Sequence, residues 1–291
     1  MDEPDFFLDQ RVAILGLGLM GGSLALALRG RCRELTGVDP DQQALELARQ
    51  RQIVDWATSD AAAALPGTGL VVLAAPVRAN LRLAKALPEL HPGEAVVLDL
   101  GSTKREICQV FAGLPARFDP IGGHPMCGKE HPGLVYAEAE IFKGAVFAFT
   151  PLDRTSQRAR ELAQRLAQAL GSHPLWLDAA THDRWVASSS HLPYLLANAL
   201  ALTVPEEAAP LIGPGYNSTT RLAASFAPMM LDVLLSNRQN VLSAVGALRA
   251  QLDALQAALE AEDALRLRRL LEASADKRRA LTQAHIGRET L

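Results

Sequence analysis

His124 sits in the run Ile121-Gly122-Gly123-His124-Pro125-Met126-Cys127-Gly128-Lys129-Glu130. Gly122 and Gly123 carry no Cβ, so the backbone there can pass close to something bulky. Pro125 steers His124 away from helical φ/ψ, which puts the imidazole on extended or turning backbone, in a loop. A free imidazole titrates near pH ~6.5, so a histidine presented this way suits a general base or acid at neutral pH. The plainer alternative is a loop histidine that caps a helix. Three other stretches carry side chains with chemical uses. Asp99-Leu100-Gly101-Ser102-Thr103-Lys104 puts a hydroxyl and an amine at the end of an apolar run, where Ser102 can cap a helix and still reach a substrate oxygen. Ser188-Ser189-Ser190-His191-Leu192-Pro193 sets a histidine in an otherwise apolar stretch, as a ligand or as a buried core residue. Gly213-Pro214-Gly215-Tyr216-Asn217-Ser218-Thr219-Thr220-Arg221 leads from a glycine-containing loop into a helix, with Arg221 in its early turns. A cation there opposes the helix dipole at a small cost. That cost makes sense if the planar guanidinium clamps an anionic substrate; otherwise Arg221 is a surface residue.

These residues need a scaffold, and its first part is explicit. Arg11 to Leu15 reads as a buried strand, Leu24 to Arg29 as a helix, and Gly16-Leu17-Gly18-Leu19-Met20-Gly21 lies between them. That context makes a Gly-x-Gly-x-x-Gly run credible as a dinucleotide loop. Gly16 makes the turn, Gly18 admits a pyrophosphate, and Gly21 lets the helix pack on the strand. The helix N-terminus, from Leu19 and Met20, offers free N–H groups to the phosphates. Asp39 ends a second strand, 18 residues past Gly21, about where an acid binds the adenosine ribose. A carboxylate there accepts from the 2′-OH of NAD and repels the 2′-phosphate of NADP, so NAD is expected over NADP. Asp39 can also serve the helix that Pro40 and Asp41 open.

The alternation continues with helix 41–51, strand 69–76 ending at Pro76 beside the cofactor, helix 80–87 stopped or kinked by Pro88, and strand 95–99. Helix 104–111, strand 144–151, helix 155–170 and strand 173–177 complete it. Strands alternating with helices give a Rossmann-type, doubly wound parallel sheet, whose ligands bind beyond the carboxyl ends of the strands. From residue 178 no strand signal remains. An apolar helical stretch from Thr181 to Val204 precedes two long helices, 228–259 and 261–284, and Leu234, Val241, Leu248, Leu252 and Leu255 fall on one face. The expectation is a nucleotide-binding domain, 1–177, followed by an all-α substrate and dimerisation domain, 178–291.

Composition narrows the function. A net charge of −3 and 5% aromatic residues speak against a nucleic-acid partner and a membrane surface. Cys32, Cys108 and Cys127 are widely spaced, which suits a reduced cytoplasm and offers no structural metal site. The N-terminus is acidic and no apolar run reaches the ~18 residues of a membrane span, so a cytoplasmic protein is expected.

In order along the chain stand Gly16-x-Gly18-x-x-Gly21-Gly22-Ser23, Asp99-x-Gly101-Ser102-x-Lys104, Gly122-Gly123-His124-Pro125-Met126, Ser190-His191-Leu192-Pro193 and Thr219-Thr220-Arg221-Leu222-Ala223. Together they resemble the prephenate/arogenate dehydrogenases of tyrosine biosynthesis, over residues 9 to 285. The resemblance implies an NAD-dependent oxidative decarboxylation. A hydride leaves the ring carbon bearing the 4-hydroxyl, the ring carboxylate departs as CO2, and the ring becomes aromatic. It implies that His124 is the base on the 4-hydroxyl and that Ser102 bonds to the same region. Arg221 would bind a substrate carboxylate, while His191, Glu130 and Asn217 would shape the pocket of a homodimer. Asn217 stands where some relatives carry a basic residue, and Lys129 where relatives often carry a small or hydroxyl residue. Both departures touch the part of the pocket that senses a keto-acid or an amino-acid side chain. The β-hydroxyacid dehydrogenases share the glycine loop, but their glycine-rich helix with a catalytic lysine is not found near residues 165–180. A dinucleotide sensor with a dead site has no use for Ser102, His124, His191 and Arg221 together.

Overall fold

The computed structural model describes residues 8–129 and 131–289. In chain order it contains β1 (Leu8–Leu15), α1 (Leu19–Leu28), β2 (Cys32–Val38), α2 (Gln42–Gln50), β3 (Trp56–Thr58), α3 (Ala61–Ala64), β4 (Leu70–Leu73), α4 (Val77–Leu90), β5 (Ala95–Asp99) and α5 (Arg105–Ala112). There follow β6 (Phe118–Pro125), β7 (Val146–Pro151), α6 (Gln157–Ala169), β8 (His173–Trp176), α7 (Ala179–Val186), α8 (Leu192–Thr203), α9 (Pro214–Thr220), α10 (Ala227–Ser236), α11 (Arg238–Glu260) and α12 (Ala264–Glu289).

The strands form one sheet in the order β3-β2-β1-β4-β5-β6-β7-β8. Successive residues of the central strands feed two different cores. Val12, Ile14, Leu70, Val72, Val96 and Leu98 pack with α1 and α6 on one face. Ala13, Leu15, Val71, Leu73, Ala95 and Val97 pack with α4 and α5 on the other. Covering on both faces is why these strands read as unbroken apolar runs, with no alternation of polar and apolar residues.

The sheet departs from the expected all-parallel form at one place, because β7 runs antiparallel to β6. Pro125 of β6 lies opposite Phe147, near the start of β7, so the chain leaves and re-enters the sheet at the same end. The described residues between them, 126–129 and 131–145, therefore start and end at the carboxyl end of the central strands. β3, α3 and β6 carry too short or too broken an apolar signal to be read from sequence. For β6 the consequence matters, since His124 is the penultimate residue of a strand and not part of a loop.

The helices after β8 also correct the expected boundaries. Pro88 lies inside α4, which continues to Leu90. The stretch read as one helix from 228 to 259 is broken at Asn237 into α10 and α11, so Leu234 does not share a helix face with Leu248 and Leu252. Between α7 and α8, residues Ala187–His191 form a π-helical turn. Pro193 can neither donate an N–H nor tolerate a normal carbonyl position one turn earlier, and a widened turn relieves both demands.

By compactness the chain divides into Met1–Asn237 and Arg238–Leu291. The change from mixed α/β to helix comes after β8, at Trp176. These two divisions describe different properties, because α7 to α10 are helical yet belong to the sheet-bearing unit. The second unit is a helical hairpin of α11 and α12 turned at Glu262, whose φ is +50°.

Candidate active site

The glycine loop joins β1 to α1. Gly16 has φ +107°, and a Cβ there would come within 2.7 Å of the Ala74 carbonyl carbon. A Cβ on Gly21 would come within 1.9 Å of the Gly16 oxygen. Gly18 is different: nothing lies within 4 Å of the Cβ it lacks. It is also the N-cap of α1, and no side chain caps that helix. Open space beside uncapped N–H groups is what a pyrophosphate needs, so the loop fits a dinucleotide. A cavity of about 540 Å³ runs from here past Asp39, Pro40, Ser59, Ala75 and Pro76. The Asp39 carboxylate accepts from Leu17 N at 2.6 Å and Asp41 N at 2.9 Å, so it fixes the loop as well as facing the cavity. Asp41, not Asp39, caps α2. Arg82 of α4 lines the same cavity, reaching it from an element well past Asp39 in the chain.

A second cavity, about 270 Å³, continues from Gly18, Leu19, Met20 and Pro76 to Ser102 and His124. The strand ends that frame it are tied by a buried ion pair. Lys104 Nζ donates to both oxygens of Asp99, at 2.8 and 2.7 Å, and to the Gly123 carbonyl at 2.5 Å. Asp99 also accepts from Gly101 N. Lys104 is fully buried, so it is a tie between β5 and β6 and does not reach the cavity. The bulky neighbour that Gly122 and Gly123 make room for is the protein itself. A Cβ on Gly123 would meet the Asp99 carbonyl oxygen at 2.8 Å, and one on Gly122 would meet Thr150 Oγ1 at 2.2 Å.

Thus held, His124 presents its ring to the cavity on one side and to another histidine on the other. His124 Nδ1 lies 2.9 Å from His182 Nε2. His182 Nδ1 in turn donates to Asp183 Oδ1 at 2.8 Å. The same carboxylate accepts from the backbone N–H groups of Lys104 and Arg105, at 2.8 and 2.9 Å, capping α5 from a distant segment. Asp183 therefore stays ionised: burial would raise its carboxyl, but the bonds from His182, Lys104 and Arg105 hold it below its ordinary range. The chain of bonds sets the tautomers. His182 gives its Nδ1 proton to Asp183, so its Nε2 accepts; His124 must then donate from Nδ1, which leaves His124 Nε2 as the lone-pair nitrogen. Burial, aided by His182, Lys104 and His191, pushes the His124 imidazole well below its usual range, so it is neutral at pH 7. His182 and Asp183 were legible only as the opening of a helix; an adjacent His-Asp pair where α/β gives way to α was the one available signal.

Ser102 lines the cavity with His124, as expected. Cys127 lines it too, but burial pushes its thiol up to about 12, so it is not a thiolate nucleophile. His191 is buried, within 3.3 Å of Asn237 Nδ2, which also donates to the Asp183 carbonyl at 2.6 Å. Burial pushes the His191 imidazole down to about 4, and it supports the relay from behind without lining the cavity. Arg221 and Asn217 are exposed and likewise outside the lining. Arg221 opens a 3-10 turn directly after α9, at the helix's C-terminal end, where a cation suits the dipole. The expected dipole cost is therefore absent. Glu130 lies outside the described residues.

The model of the prephenate dehydrogenase nucleotide-binding domain matches residues 24–175, and that of the prephenate dehydrogenase dimerization domain matches residues 178–273. The chain belongs to the prephenate dehydrogenase family. It is an oxidoreductase of that family with a site for a nicotinamide dinucleotide. Prephenate dehydrogenase of Bacillus subtilis is 28% identical over 288 residues, which are 95% of this chain and 77% of that protein. The crystal structure of Aquifex aeolicus prephenate dehydrogenase with hydroxyphenyl propionate and NAD+ superposes with a TM-score of 0.85 at 28% identity, covering 94% and 98% of the two chains. Arogenate dehydrogenase of Synechocystis gives 0.78 at 27% identity, over 93% and 99%.

Proposed function

We propose that this enzyme oxidises and decarboxylates prephenate to 4-hydroxyphenylpyruvate with NAD, as a cytoplasmic homodimer. The observation that carries the chemistry is geometric: His124 is tied through Nδ1 to His182 and Asp183 and lines, with Ser102, a cavity continuous with the glycine loop. When bound, the nicotinamide accepts the hydride. His124 Nε2 accepts the 4-hydroxyl proton as the carbon–hydrogen bond breaks and that carbon becomes a carbonyl, and Ser102 orients the same oxygen. The bond from ring to carboxylate then breaks, its electron pair enters the ring, and the proton returns to the phenolic oxygen. Hydride, CO2 and the phenol account for every atom, with no net proton released. Aromatisation supplies the driving force, so the protein's part is positioning and one proton in transit.

Arg221 is proposed as a partner for a substrate carboxylate on the family resemblance, with His191, Asn217 and Glu130 shaping the surrounding pocket. The division into a nucleotide-binding part, 1–177, and a substrate and dimerisation part, 178–291, is part of the same reading. Support for the dimer comes from Leu242, Leu252, Leu259, Leu265 and Leu271, each at least half exposed on α11 and α12. Such apolar area exceeds what an isolated hairpin covers. The unpaired cysteines Cys32, Cys108 and Cys127 suit a reducing compartment.

Initial rates with prephenate and arogenate, each with NAD and NADP, test this reading. Prephenate with NAD should give the highest kcat/KM; turnover of neither compound would end it. NAD is favoured because Asp39 faces the cavity beside the glycine loop, where its carboxylate would meet the ribose hydroxyls. Asp39→Ser should erode that preference, and NADP should gain most, since Arg82 is then left to meet a 2′-phosphate. Faster wild-type turnover with NADP at equal concentration contradicts the role given to Asp39.

The relay also predicts a pH profile. Activity needs neutral His124, whose pKa lies below 6.5, so the acid limb of kcat/KM should fall below that value. Burial is the main cause of that depression, and His182 covers one side of the ring. His182→Ala admits water there, so the limb should move to higher pH, toward the ordinary imidazole range. A limb that stays in place, at unchanged kcat, would separate His182 from the base.

A further inference from the structure

We propose that Lys129 selects the keto-acid side chain of the substrate over its amino-acid counterpart, by pairing with the side-chain carboxylate at the cavity rim. This rests on the function proposed above. Among the described residues that line the cavity with His124 and Ser102, Lys129 alone carries a full charge. The rest of the lining is glycine, proline, aliphatic and sulfur side chains, with Phe226 and Met229 from the helical region. Within this lining the cation available to an anionic tail is Lys129, and Arg221 would reach a carboxylate only from outside it.

The ammonium is held in place. Lys129 Nζ lies 2.9 Å from a Glu138 carboxylate oxygen and donates to the Tyr136 carbonyl at 3.0 Å. The segment that carries those two partners is itself fixed to α1. The Glu138 N–H donates to Ser23 Oγ at 3.0 Å, and Ser23 is fully buried. The Leu134 side chain packs over Gly22, where a Cβ would come within 2.2 Å of it. The Gly22-Ser23 pair that follows the dinucleotide loop thus anchors the segment that positions Lys129. A cation set relative to the cofactor helix is also set relative to the site of hydride transfer.

Charge logic says which carboxylate it serves. Both candidate substrates carry a ring carboxylate that departs as neutral CO2. A cation paired with that group would bind the ground state and lose its partner as the charge disappears, which raises the barrier. The useful place for a cation is the side-chain carboxylate, which keeps its charge throughout. Beside that carboxylate prephenate has a carbonyl, while arogenate has an ammonium. Lys129 attracts the first pair of groups without penalty and repels the ammonium of the second. Glu138, whose side chain is half exposed, offsets only part of that repulsion.

The test is steady-state kinetics of wild type, Lys129→Met, Lys129→Arg and Glu138→Gln on both compounds at saturating NAD, with NAD affinity from fluorescence quenching. Losing a charged hydrogen bond should raise KM for prephenate about 10-fold in Lys129→Met. KM for arogenate should stay the same or fall, because Glu138 is then free to attract its ammonium. NAD affinity and kcat should hold. Lys129→Arg should keep the wild-type preference, and Glu138→Gln should sharpen it. Equal rises in KM for both compounds in Lys129→Met would overturn the proposal. So would Glu138→Gln reproducing the Lys129→Met pattern, since Lys129 would then be only a latch for the loop. Failure of the underlying function looks different: the wild type itself would oxidise neither compound.

Discussion

His124→Asn should retain the fold and the affinity for NAD while losing roughly 10²–10⁴ of kcat, the usual contribution of a general acid–base group. Asparagine is close in size to the inner part of the imidazole and still offers a donor toward His182, so the β6 terminus keeps its packing. What disappears is the Nε2 lone pair, at the one point where the 4-hydroxyl proton needs a partner. KM for prephenate should change little, because the ring and its carboxylates are held elsewhere. Circular dichroism and NAD quenching serve as controls. If the variant keeps near wild-type kcat with both controls unchanged, another group is the base and the His124–His182–Asp183 relay is only structural.

The second large effect is on stability. Lys104→Met removes the buried cation that neutralises Asp99 and ties Gly123 to β5. Asp99 is 1% exposed and would be left as an uncompensated buried carboxylate. Breaking such a pair from one side costs about 3–5 kcal/mol, far more than the pair contributes over an apolar replacement. Urea unfolding should show that loss, and kcat should fall too, because the strand that carries His124 is no longer held at its end. Adding Asp99→Asn to Lys104→Met should recover much of the stability, since the orphaned charge is gone. A loss below about 1 kcal/mol for Lys104→Met would mean that Asp99 is neutral or hydrated, contrary to the geometry described.

What the sequence makes legible and what it hides divide along physical lines. The glycine loop, Asp39 and the strands β1, β2, β4 and β5 follow from local rules: close packing, turn geometry and two-sided burial. Ser102 and His124 are readable as candidates because a helix start and an X-Pro step constrain them locally, and both line one cavity. The relay is not found, because His124 and His182 are 58 residues apart and meet only through the tertiary fold. β6 is hidden because glycine and proline interrupt it, and those residues are there to admit Thr150, Asp99 and Lys104 at close range. Lys104 looked like a site residue, since nothing local tells a buried ammonium from a reaching one. Arg221 was placed at the wrong end of a helix because Pro214 and Gly215, read as loop, are the first turn of α9. Arg82 escaped for a similar reason: it reaches the cavity that Asp39 faces from another element.

In the proposed function, hydride transfer and loss of the ring carboxylate belong to one reaction. The most direct measurement follows NADH and labelled CO2 together, using prephenate carrying ¹³C in the ring carboxylate and the wild-type enzyme with NAD at neutral pH. NADH and labelled CO2 should accumulate in equal amounts, with 4-hydroxyphenylpyruvate as the organic product. NADH formed without release of the label, or no NADH at all, would contradict it.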